Sequence, residues 1–460
     1  MVHLTPGTVT QPPSTEPHAS KGRALMVSYL FPPIGGGGVQ RALKMARYLP
    51  EFGWHPHVLT VQQTASGLTH DPKLLDQIPT DASVHRVEET PLWQSLFART
   101  RRQMKSQGQQ RHGAPGGLRA RLRPIMARLR DLFLVPDEQV IWHKPAVKAG
   151  LRIIEAHGID VIVSTSGPAT NHLVALDLTR ATGLPWVADF RDPWVENLHQ
   201  HDLPSMRRAR EQRLEAAVIA NADVISSVTR RFCDNFAARY PDAPPIALIY
   251  NGFDPADYQD LNLNTKGSSV FTAVYAGILY PKRSPATLLY AVHRLLDCGA
   301  LDPSEIQLVF AGIFDYPGHS QNRELVRSLG LESIVQTPGY LPHEEILSLM
   351  AEADALMLVG DDDPRAGDYI PGKVFEYLAL GKPVWGTAVP GEASDILEKT
   401  GQGFLATPGD VAGAAHQLTS LINDGEPHPS ASSDIQQYRR DYQAGQLAWV
   451  FNQLLPTDNS

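Results

Sequence analysis

Two carboxylates in the second half of the chain, Asp368 and Glu376, are separated by seven residues. Pro371 suits the first turn of a helix and Gly381 its end, so Glu376 is predicted on a short helix and Asp368 on the loop before it. A carboxylate accepts two hydrogen bonds from vicinal sugar hydroxyls, and the first amides of a helix, here Gly372 to Val374, attract a diphosphate. This combination is the chemistry needed to hold a nucleotide sugar.

Two cations, Lys282 and Arg283, follow a predicted strand that ends near Gly277. In open α/β sheets ligands collect at the carboxyl ends of strands, so the cations are expected to meet the same diphosphate. A charge-assisted contact of this kind contributes about 1.5 to 3 kcal/mol, which binding measurements would detect. The alternative is that both side chains are solvated surface charges.

Four consecutive glycines, Gly35 to Gly38, follow the first predicted strand and open a helix. Glycine lets the backbone approach a ligand closely, and a helix N-terminus favours an anion. The run therefore predicts a phosphate-binding loop, with a flexible turn as the alternative. It completes neither the dinucleotide-binding fingerprint nor the Lys-Ser/Thr of a P-loop, which disfavours NAD-dependent enzymes and P-loop NTPases.

Motifs for metal-dependent and hydrolytic chemistry are missing or misplaced in this sequence. Asp361 to Asp363 imitate an Asp-x-Asp metal motif, but they follow a strand of the second half, where a solvated acidic turn is expected. The seventeen histidines include no His-Glu-x-x-His spacing, and no Gly-x-Ser-x-Gly elbow occurs. The sequence predicts no metal site and no cofactor.

Short apolar runs alternate with helix-like stretches along the chain, a pattern that predicts parallel strands joined by crossover helices. The predicted strands are 24–29, 55–61, 160–164, 185–190, 223–228 and 246–250 in the first half, and 271–278, 307–312, 334–337, 355–360, 383–387 and 404–406 in the second. Two successive α/β domains, each built on a parallel sheet, follow from this alternation.

The predicted domain boundaries follow changes in composition. In chain order these are a disordered tail at 1–22, a first domain at 23–254 with a basic insertion at about 95–132, a linker at 255–269, a second domain at 270–426, and a final helix and tail at 427–460. The apolar spacing of the final helix predicts that it packs outside the second sheet.

The composition indicates a globular protein: of 460 residues, 42% are hydrophobic and 20% charged. The net charge of −8 argues against a general nucleic-acid binder. No apolar stretch is long enough to span a bilayer and the N-terminus lacks a signal-peptide pattern, so a cytoplasmic location is expected. Cys233 and Cys298 are too few for a disulfide framework, and both are expected to be reduced.

The segment around Asp368 and Glu376 resembles the donor-binding motif of the family 4 glycosyltransferases, and the resemblance covers most of residues 23–404. That family has the GT-B fold, in which two Rossmann-like domains face a central cleft and a C-terminal helix packs back toward the first domain. The resemblance implies transfer of a sugar from a nucleotide-sugar donor with retention of configuration and without bound metal. It also implies a glycan or lipid-linked acceptor in cell-surface polysaccharide synthesis.

The resemblance assigns individual roles. The first acid of the family motif contacts the transferred sugar and the second the ribose, here Asp368 and Glu376. Ile278 stands where the family usually has an arginine, so the diphosphate role passes to Lys282 and Arg283. The donor-binding residues are then Gly36, Gly37, Gly38, Gly277, Lys282, Arg283, Tyr340, Gly372, Lys373, Val374 and Glu376, and the residues assigned to catalysis are Asp368, Arg191, Lys282 and Arg283.

Two loops of the first domain, residues 164–172 and 188–194, resemble those that line the acceptor cleft of the family. Arg191 stands where the family often has a histidine. The residues expected to line this cleft beside it are Ser166, Asn171, Asp189 and Asp192. A structural salt-bridge corner is the alternative for Asp189, Arg191 and Asp192.

Two other functions remain open on the sequence alone. A nucleotide-sugar epimerase of similar two-domain shape would release free sugar or an altered nucleotide sugar without any acceptor. A non-catalytic subunit would bind the nucleotide sugar without turnover, although the intact set of Asp368, Glu376, Lys282 and Arg283 argues against it.

One segment, residues 99–130, is strongly basic: it contains ten Lys or Arg and no Asp or Glu. Apolar residues recur at helical spacing in and after it, at Leu118, Leu122, Met126, Leu129 and Phe133. A stripe of this kind bordered by arginines predicts contact with anionic lipid at the inner face of the plasma membrane. The alternative is that the stripe packs on the first sheet.

Overall fold

The computed structural model of the protein describes residues 22–62, 70–90, 134–198, 203–259, 261, 270–424 and 435–455. The chain divides into two compact units. The first unit comprises the chain up to Tyr250 together with the chain from Arg440 onward, and the second unit runs from Asn251 to Arg439. The basic segment at 99–130 lies outside the described residues, as do the N-terminal tail and most of the predicted linker.

The first unit contains a parallel seven-stranded sheet of order β3-β2-β1-β4-β5-β6-β7. Its strands are β1 (Gly22–Val27), β2 (Trp54–Val61), β3 (Ser83–Val87), β4 (Val161–Thr165), β5 (Trp186–Phe190), β6 (Val224–Ser227) and β7 (Ile246–Leu248). Its crossover helices are α1 (Gly37–Tyr48), α2 (Val140–His157), α3 (Thr170–Thr182), α4 (Ser205–Asn221) and α5 (Arg230–Arg239). The strand order reverses between β1 and β4, which creates a crevice where ligands bind in folds of this class.

The second unit contains a parallel six-stranded sheet of order β10-β9-β8-β11-β12-β13. Its strands are β8 (Phe271–Ile278), β9 (Ile306–Ile313), β10 (Val335–Gly339), β11 (Ala355–Val359), β12 (Val384–Thr387) and β13 (Gly403–Ala406). Its helices are α6 (Ala286–Asp297), α7 (Gln321–Ser328), α8 (His343–Glu352), α9 (Gly372–Leu380), α10 (Glu392–Lys399) and α11 (Val411–Asp424). The two units have separate hydrophobic cores, one around Trp54 and Trp186 and one around Phe310 and Trp385.

The last helix, α12 (Arg440–Leu454), belongs to the first unit, where it packs on α1. Ala444, Leu447 and Phe451 are buried there, and the Phe451 ring lies 4.9 Å from the Trp54 ring. The expectation that this helix packs outside the second sheet is therefore wrong. The spacing of apolar residues predicted that the helix has an apolar face, but it could not show which surface covers that face. The covering surface, α1 and Trp54, lies about 400 residues earlier in the chain.

The two Rossmann-like sheets confirm the predicted α/β class, and each predicted strand is present to within a few residues. Strand β3 was not predicted. Every residue of β3 is only half-buried, since it lies at the edge of the sheet, so it lacks the apolar run that identified the other strands. Within the described part of the chain, no helix has both the length and the apolar character needed to cross a membrane.

Candidate functional site

In the second unit, the strand order reverses between β8 and β11, and glycines line the strand ends at this point. Gly277 at the end of β8 pairs with Gly312 of β9. A Cβ atom on Gly312 would lie 2.2 Å from the carbonyl oxygen of Gly277, and its φ of +119° also favours glycine. The backbones of β8 and β9 therefore meet here at a distance that no side chain allows.

The side chain of Lys373 reaches this strand end from the first turn of α9. Its Nζ donates to the Ala276 carbonyl oxygen at 3.0 Å and lies 3.6 Å from the centre of the Tyr275 ring. Burial, and then the positive charge of Arg283, lower the pKa of Lys373 to about 7, against the opposing effect of Glu376. The sequence predicted Lys373 as a donor-binding residue at the helix start and gave no partner for its side chain. The fold brings its ammonium group to the end of β8.

Helix α9 begins at the exposed Gly372 and follows Pro371, which has no side chain to cap the first amides. The first amides of a helix have no acceptor within the helix, so this end of α9 suits an anion. Val374 does not face outward: its side chain is fully buried, and its amide donates to the Pro371 carbonyl oxygen at 2.9 Å. The side chain of Val374 therefore packs in the core. Its amide is already used within the helical turn and does not point to a ligand.

The two acids of the predicted motif are both half-buried. Asp368 is the last residue of a 3-10 turn, Pro364–Asp368, that leads toward α9. Glu376 lies one turn into α9. Burial, and then the negative charge of Glu376, raise the pKa of Tyr258, which belongs to the same unit. The structure therefore places Asp368 on a loop and Glu376 on a helix, as the sequence predicted.

The two cations after β8 differ in exposure. Lys282 is exposed, whereas Arg283 is half-buried with its guanidinium carbon 5.7 Å from the centre of the Tyr280 ring. Arg283 also acts electrostatically on Lys373. Close to them, Asp363 accepts a hydrogen bond from Arg365 at 2.9 Å, and this bonding lowers the pKa of Asp363 to about 2. Within the acidic turn at Asp361 to Asp363, the Asp363 carboxylate is therefore paired with Arg365.

Three exposed tyrosines follow the three neighbouring strands on this side of the sheet. Tyr280 follows β8, Tyr316 follows β9 and Tyr340 follows β10, with exposed fractions of 46%, 38% and 86%. The Tyr280 and Tyr316 rings lie 5.8 Å apart. Only Tyr340 was predicted. The recurrence of an aromatic residue shortly after each strand is the sequence signal that would have identified the other two.

In the first unit, Arg191 connects the glycine run to the loop after β4. Its Nη1 donates to the Gly38 carbonyl oxygen at 2.9 Å, and its Nε lies 3.2 Å from Asp192. A Cβ atom on Gly167 would lie 2.7 Å from Nη2 of Arg191, and one on Gly38 would lie 3.4 Å from Nη1. Gly38 is thus packed against Arg191 and supports the loop. The earlier glycines, Gly36 and Gly37, are exposed on the surface of the loop.

Asp189 does not line an open surface, because its side chain lies in a closed network. It is 5% exposed and accepts hydrogen bonds from Arg41 at 2.7 and 2.8 Å. Thr165 and Ser226 donate to it at 2.7 and 2.8 Å. Burial raises the pKa of Asp189, but Arg41 and the two hydroxyls outweigh burial and hold it below its usual value. The salt-bridge corner weighed as an alternative describes Asp189, with Arg41 as the partner that the sequence did not indicate.

Asn171 and Ser166 also hold the backbone of this region together. Asn171 is fully buried; it accepts from the Tyr29 amide at 3.1 Å and donates to the Thr165 carbonyl oxygen at 2.8 Å, so it joins the ends of β1 and β4. Ser166 is buried and accepts from the Asp192 amide at 3.4 Å. Asp192 itself is half-buried, and of the four acceptor-side candidates only it has a partly exposed side chain.

Two family models match the chain. Residues 36–252 match a glycosyl transferase 4-like domain, and residues 262–440 match glycosyl transferases group 1. The chain belongs to family 4 of the glycosyltransferases. The two matches cover the described strands of both sheets from β2 onward, so the family assignment and the two-sheet fold agree.

Curated relatives of this glycosyltransferase match it only in part. A 2-deoxystreptamine N-acetyl-D-glucosaminyltransferase of Streptomyces fradiae is 32% identical over 26% of this chain, and a 2-deoxystreptamine glucosyltransferase of Streptomyces kanamyceticus is 28% identical over 57%. The matched regions span 27% and 65% of the two relatives' own lengths.

Solved structures resemble the glycosyltransferase over nearly its whole length. A glycosyltransferase of Rickettsia africae has a TM-score of 0.60 at 13% identity and covers 96% of this chain and 100% of its own. HepE of Anabaena in complex with UDP has a TM-score of 0.52 at 17% identity and covers 94% and 97%. At these identities the likeness supports the GT-B fold.

Proposed function

We propose that this glycosyltransferase takes a nucleoside diphosphate sugar as its donor and holds the diphosphate between the end of β8 and the start of α9. The observation that carries the proposal is the position of the Lys373 ammonium, 3.0 Å from the Ala276 carbonyl oxygen. A half-buried cation beside a glycine strand end and an uncapped helix start suits a phosphate group. The complex of the similar HepE with UDP supports the same donor class.

Lys373 compensates for a departure from the family pattern. Ile278 stands where the family usually has an arginine, directly after the strand-end glycine. A Cβ atom on Gly277 would lie 3.2 Å from the Lys373 Nζ, so a cation from α9 lies beside the strand end that normally carries that arginine. Together with Lys282 and Arg283, Lys373 gives the proposed diphosphate site three basic side chains.

The remaining donor contacts follow the family motif. Glu376 binds the ribose hydroxyls, Asp368 contacts the transferred sugar, and the exposed ring of Tyr340 lies beside the base. Because a carboxylate accepts two hydrogen bonds at once, each acid distinguishes a diol from a single hydroxyl.

Catalysis in this proposal depends on stabilising the leaving group. Negative charge develops on the nucleoside diphosphate as the glycosidic bond breaks, and preorganised cations and amides lower the energy of that state. The acceptor oxygen attacks from the face that the diphosphate leaves, and a phosphate oxygen takes the acceptor's proton, which retains the configuration. The cations of the site perform this role without a bound metal.

For the acceptor, we propose a glycan or lipid-linked saccharide in cell-surface polysaccharide synthesis, with the enzyme in the cytoplasm. A second candidate is a small aminocyclitol, which the names of the two Streptomyces relatives favour. The two candidates differ in size and in partition into lipid, so extraction of labelled product into organic solvent separates them.

The donor proposal is tested by calorimetry with UDP and uridine. Replacing Lys282 and Arg283 together by Ala should weaken UDP binding at least about tenfold and leave uridine binding unchanged, because the cations contact phosphate and not base. The matched control replaces Lys399 and Arg327, an exposed lysine and arginine on other helices of the same unit. Equal losses for UDP and uridine would contradict the assignment.

Turnover separates the transferase from the two other functions. Wild-type enzyme given a nucleotide sugar and acceptor should release nucleoside diphosphate and a glycosylated product, and Glu376→Ala should lose most of this turnover while remaining folded. An epimerised nucleotide sugar formed without acceptor would favour the epimerase, and binding without any product would favour the non-catalytic subunit.

A further inference from the structure

Three histidines gather at one edge of the first unit, on elements that the donor proposal does not use. His57 lies on β2, His85 on the edge strand β3, and His157 in the last turn of α2. One ring nitrogen of each lies within 4.8 Å of one ring nitrogen of both others. The His57 and His157 ring centres are 4.6 Å apart, and those of His85 and His157 are 5.4 Å apart.

The spacing of one nitrogen pair fits a tetrahedral transition metal ion. Nδ1 of His57 lies 3.3 Å from Nε2 of His85. Two ligand nitrogens about 2.0 to 2.1 Å from a zinc ion at a tetrahedral angle are about 3.4 Å apart. A small movement of the exposed His157 ring brings the third nitrogen into the same range.

His57 is a buried histidine with an incompletely satisfied ring. It is 3% exposed, and its Nε2 has no hydrogen-bond partner among the described residues. A buried polar atom without a partner costs free energy, so the residues around His57 do not fully satisfy its ring. The ring opens toward a surface pocket of about 590 Å³ lined by Arg23, His55, His57 and His157, which leaves access for an ion and for a water as fourth ligand.

Burial and nearby groups favour the neutral form of two of the three rings, His57 and His85. Burial, and then His55, His157, His85 and Arg23, lower the pKa of His57 to about 4, and burial lowers that of His85. Neutral imidazole is the form that binds a metal ion. The one fixed positive charge among these groups is Arg23, whose Nη1 donates to the His157 carbonyl oxygen at 3.0 Å.

We propose that His57, His85 and His157 form a three-histidine site for a divalent transition metal ion of the zinc type. Imidazole ligands and a nitrogen-only set favour zinc, copper and nickel over magnesium and calcium. The ion would join β2, the edge strand β3 and the end of α2, and so fasten the edge of the first sheet. This site lies in the first half of β2, whereas the glycine run follows the carboxyl end of β1 in the same parallel sheet.

The test is titration of the metal-free chain, after removal of any purification tag, with Zn²⁺ by calorimetry and with Co²⁺ by visible absorption. We expect one tight equivalent of ion, visible bands of tetrahedral Co²⁺, and a rise in the thermal unfolding temperature. His157→Gln and His85→Gln should each weaken binding by about 100-fold or more, because loss of a direct ligand costs at least as much as loss of an outer-shell partner. His70→Gln, at an exposed histidine outside the cluster, is the matched control and should bind as wild type does.

His157 is exposed, so its variant should fold, which circular dichroism and the metal-free unfolding temperature check. If His85→Gln does not fold, the His157 variant alone decides the question. Zn²⁺ affinity equal in wild type and His157→Gln, or octahedral rather than tetrahedral Co²⁺ bands, would overturn the site. Binding of inorganic phosphate without binding of Zn²⁺ would also overturn it, and would assign the pocket to an anion held by Arg23.

Discussion

Lys373 shows how strongly the chemistry of one side chain depends on what surrounds it. Its ammonium group lies against the Tyr275 ring and close to Arg283, so burial and like charge weaken its hold on a proton. A diphosphate bound beside it would reverse this balance, because an adjacent negative charge favours the protonated amine. Donor binding and protonation of Lys373 are therefore coupled.

The coupling predicts proton uptake. With a pKa of about 7, Lys373 is mostly neutral at pH 8, so UDP binding should take up a proton at pH 8 and almost none at pH 6. UDP affinity should accordingly fall as pH rises above about 7. Calorimetry in two buffers of different ionisation enthalpy measures the uptake directly.

Lys373→Arg is the control for this prediction. Arginine keeps its charge at every accessible pH, so the variant should bind UDP without proton uptake and with little dependence on pH between 7 and 8. Uptake of equal size in the variant would place the titrating group elsewhere.

At the residue scale, the sequence predicted the groups whose role depends on their neighbours in the chain. Asp368, Gly372 and Glu376 fall within nine residues, and turn and helix signals place them. The pair Arg41–Asp189 was not predicted, because its members are 148 residues apart and become partners only in the folded unit. Lys373 was predicted as a donor-binding residue, but the position of its ammonium group at the end of β8 was not predicted, because its acceptor, Ala276, lies 97 residues away.

At the scale of elements, the close approach of β8 and β9 fixes the shape of the donor end of the sheet. Gly312→Ala should destabilise the second unit by more than about 1 to 3 kcal/mol and weaken UDP binding, because the added Cβ would meet the Gly277 carbonyl oxygen at 2.2 Å. Thermal unfolding and UDP calorimetry measure the two effects.

Gly318→Ala separates this clash from backbone strain. Gly318 also has a positive φ, +89°, but a Cβ there would have no described atom within 4 Å. If the free energy of unfolding falls by the same amount in the Gly312 and Gly318 variants, the close approach of β8 and β9 does not add to the cost of backbone strain.

Element prediction succeeded where burial was complete and failed where it was not. Strands such as β4 and β11 are buried almost throughout and carry apolar runs that identify them. Strand β3 has three polar residues, Ser83, His85 and Arg86, among its five and is half-buried along its length. An edge strand such as β3 is identified by its pairing with the neighbouring strand, and a short stretch of its own sequence does not show that pairing.

At the scale of the whole molecule, the second unit is one continuous piece of chain, whereas the first is built from two. Removal of residues 440–460 should therefore destabilise the first unit, because it uncovers the surface of α1 and Trp54 that α12 buries. The loss should exceed the about 3 to 5 kcal/mol expected for Phe451→Ala alone. The second unit should keep its UDP affinity, and calorimetry with thermal unfolding tests both outcomes.

The intact chain with Phe451→Leu serves as the control, since it keeps most of the buried volume. If the truncated chain unfolds in a single transition at the wild-type temperature, α12 does not contribute to the first unit.

The charge distribution of the whole molecule leads to a further prediction. Residues 99–130 carry ten of the 41 Lys and Arg in a chain of net charge −8. We propose that they attach the protein to anionic membrane, where each cation contributes about 1 kcal/mol. Sedimentation with liposomes should show binding that needs anionic lipid and falls with added salt. Changing Arg119, Arg121, Arg123, Arg128 and Arg130 to Gln should abolish it, and wild-type protein that stays in the supernatant would favour packing of the segment on the sheet.

The return of α12 to the first unit has a consequence for synthesis on the ribosome. The second unit is complete once Arg439 has left the exit tunnel, but the first unit, although translated earlier, still lacks a helix at that moment. The half of the protein made first is thus finished last. A premature stop codon directly after Arg439 would damage the first unit of the enzyme and leave the second unit whole.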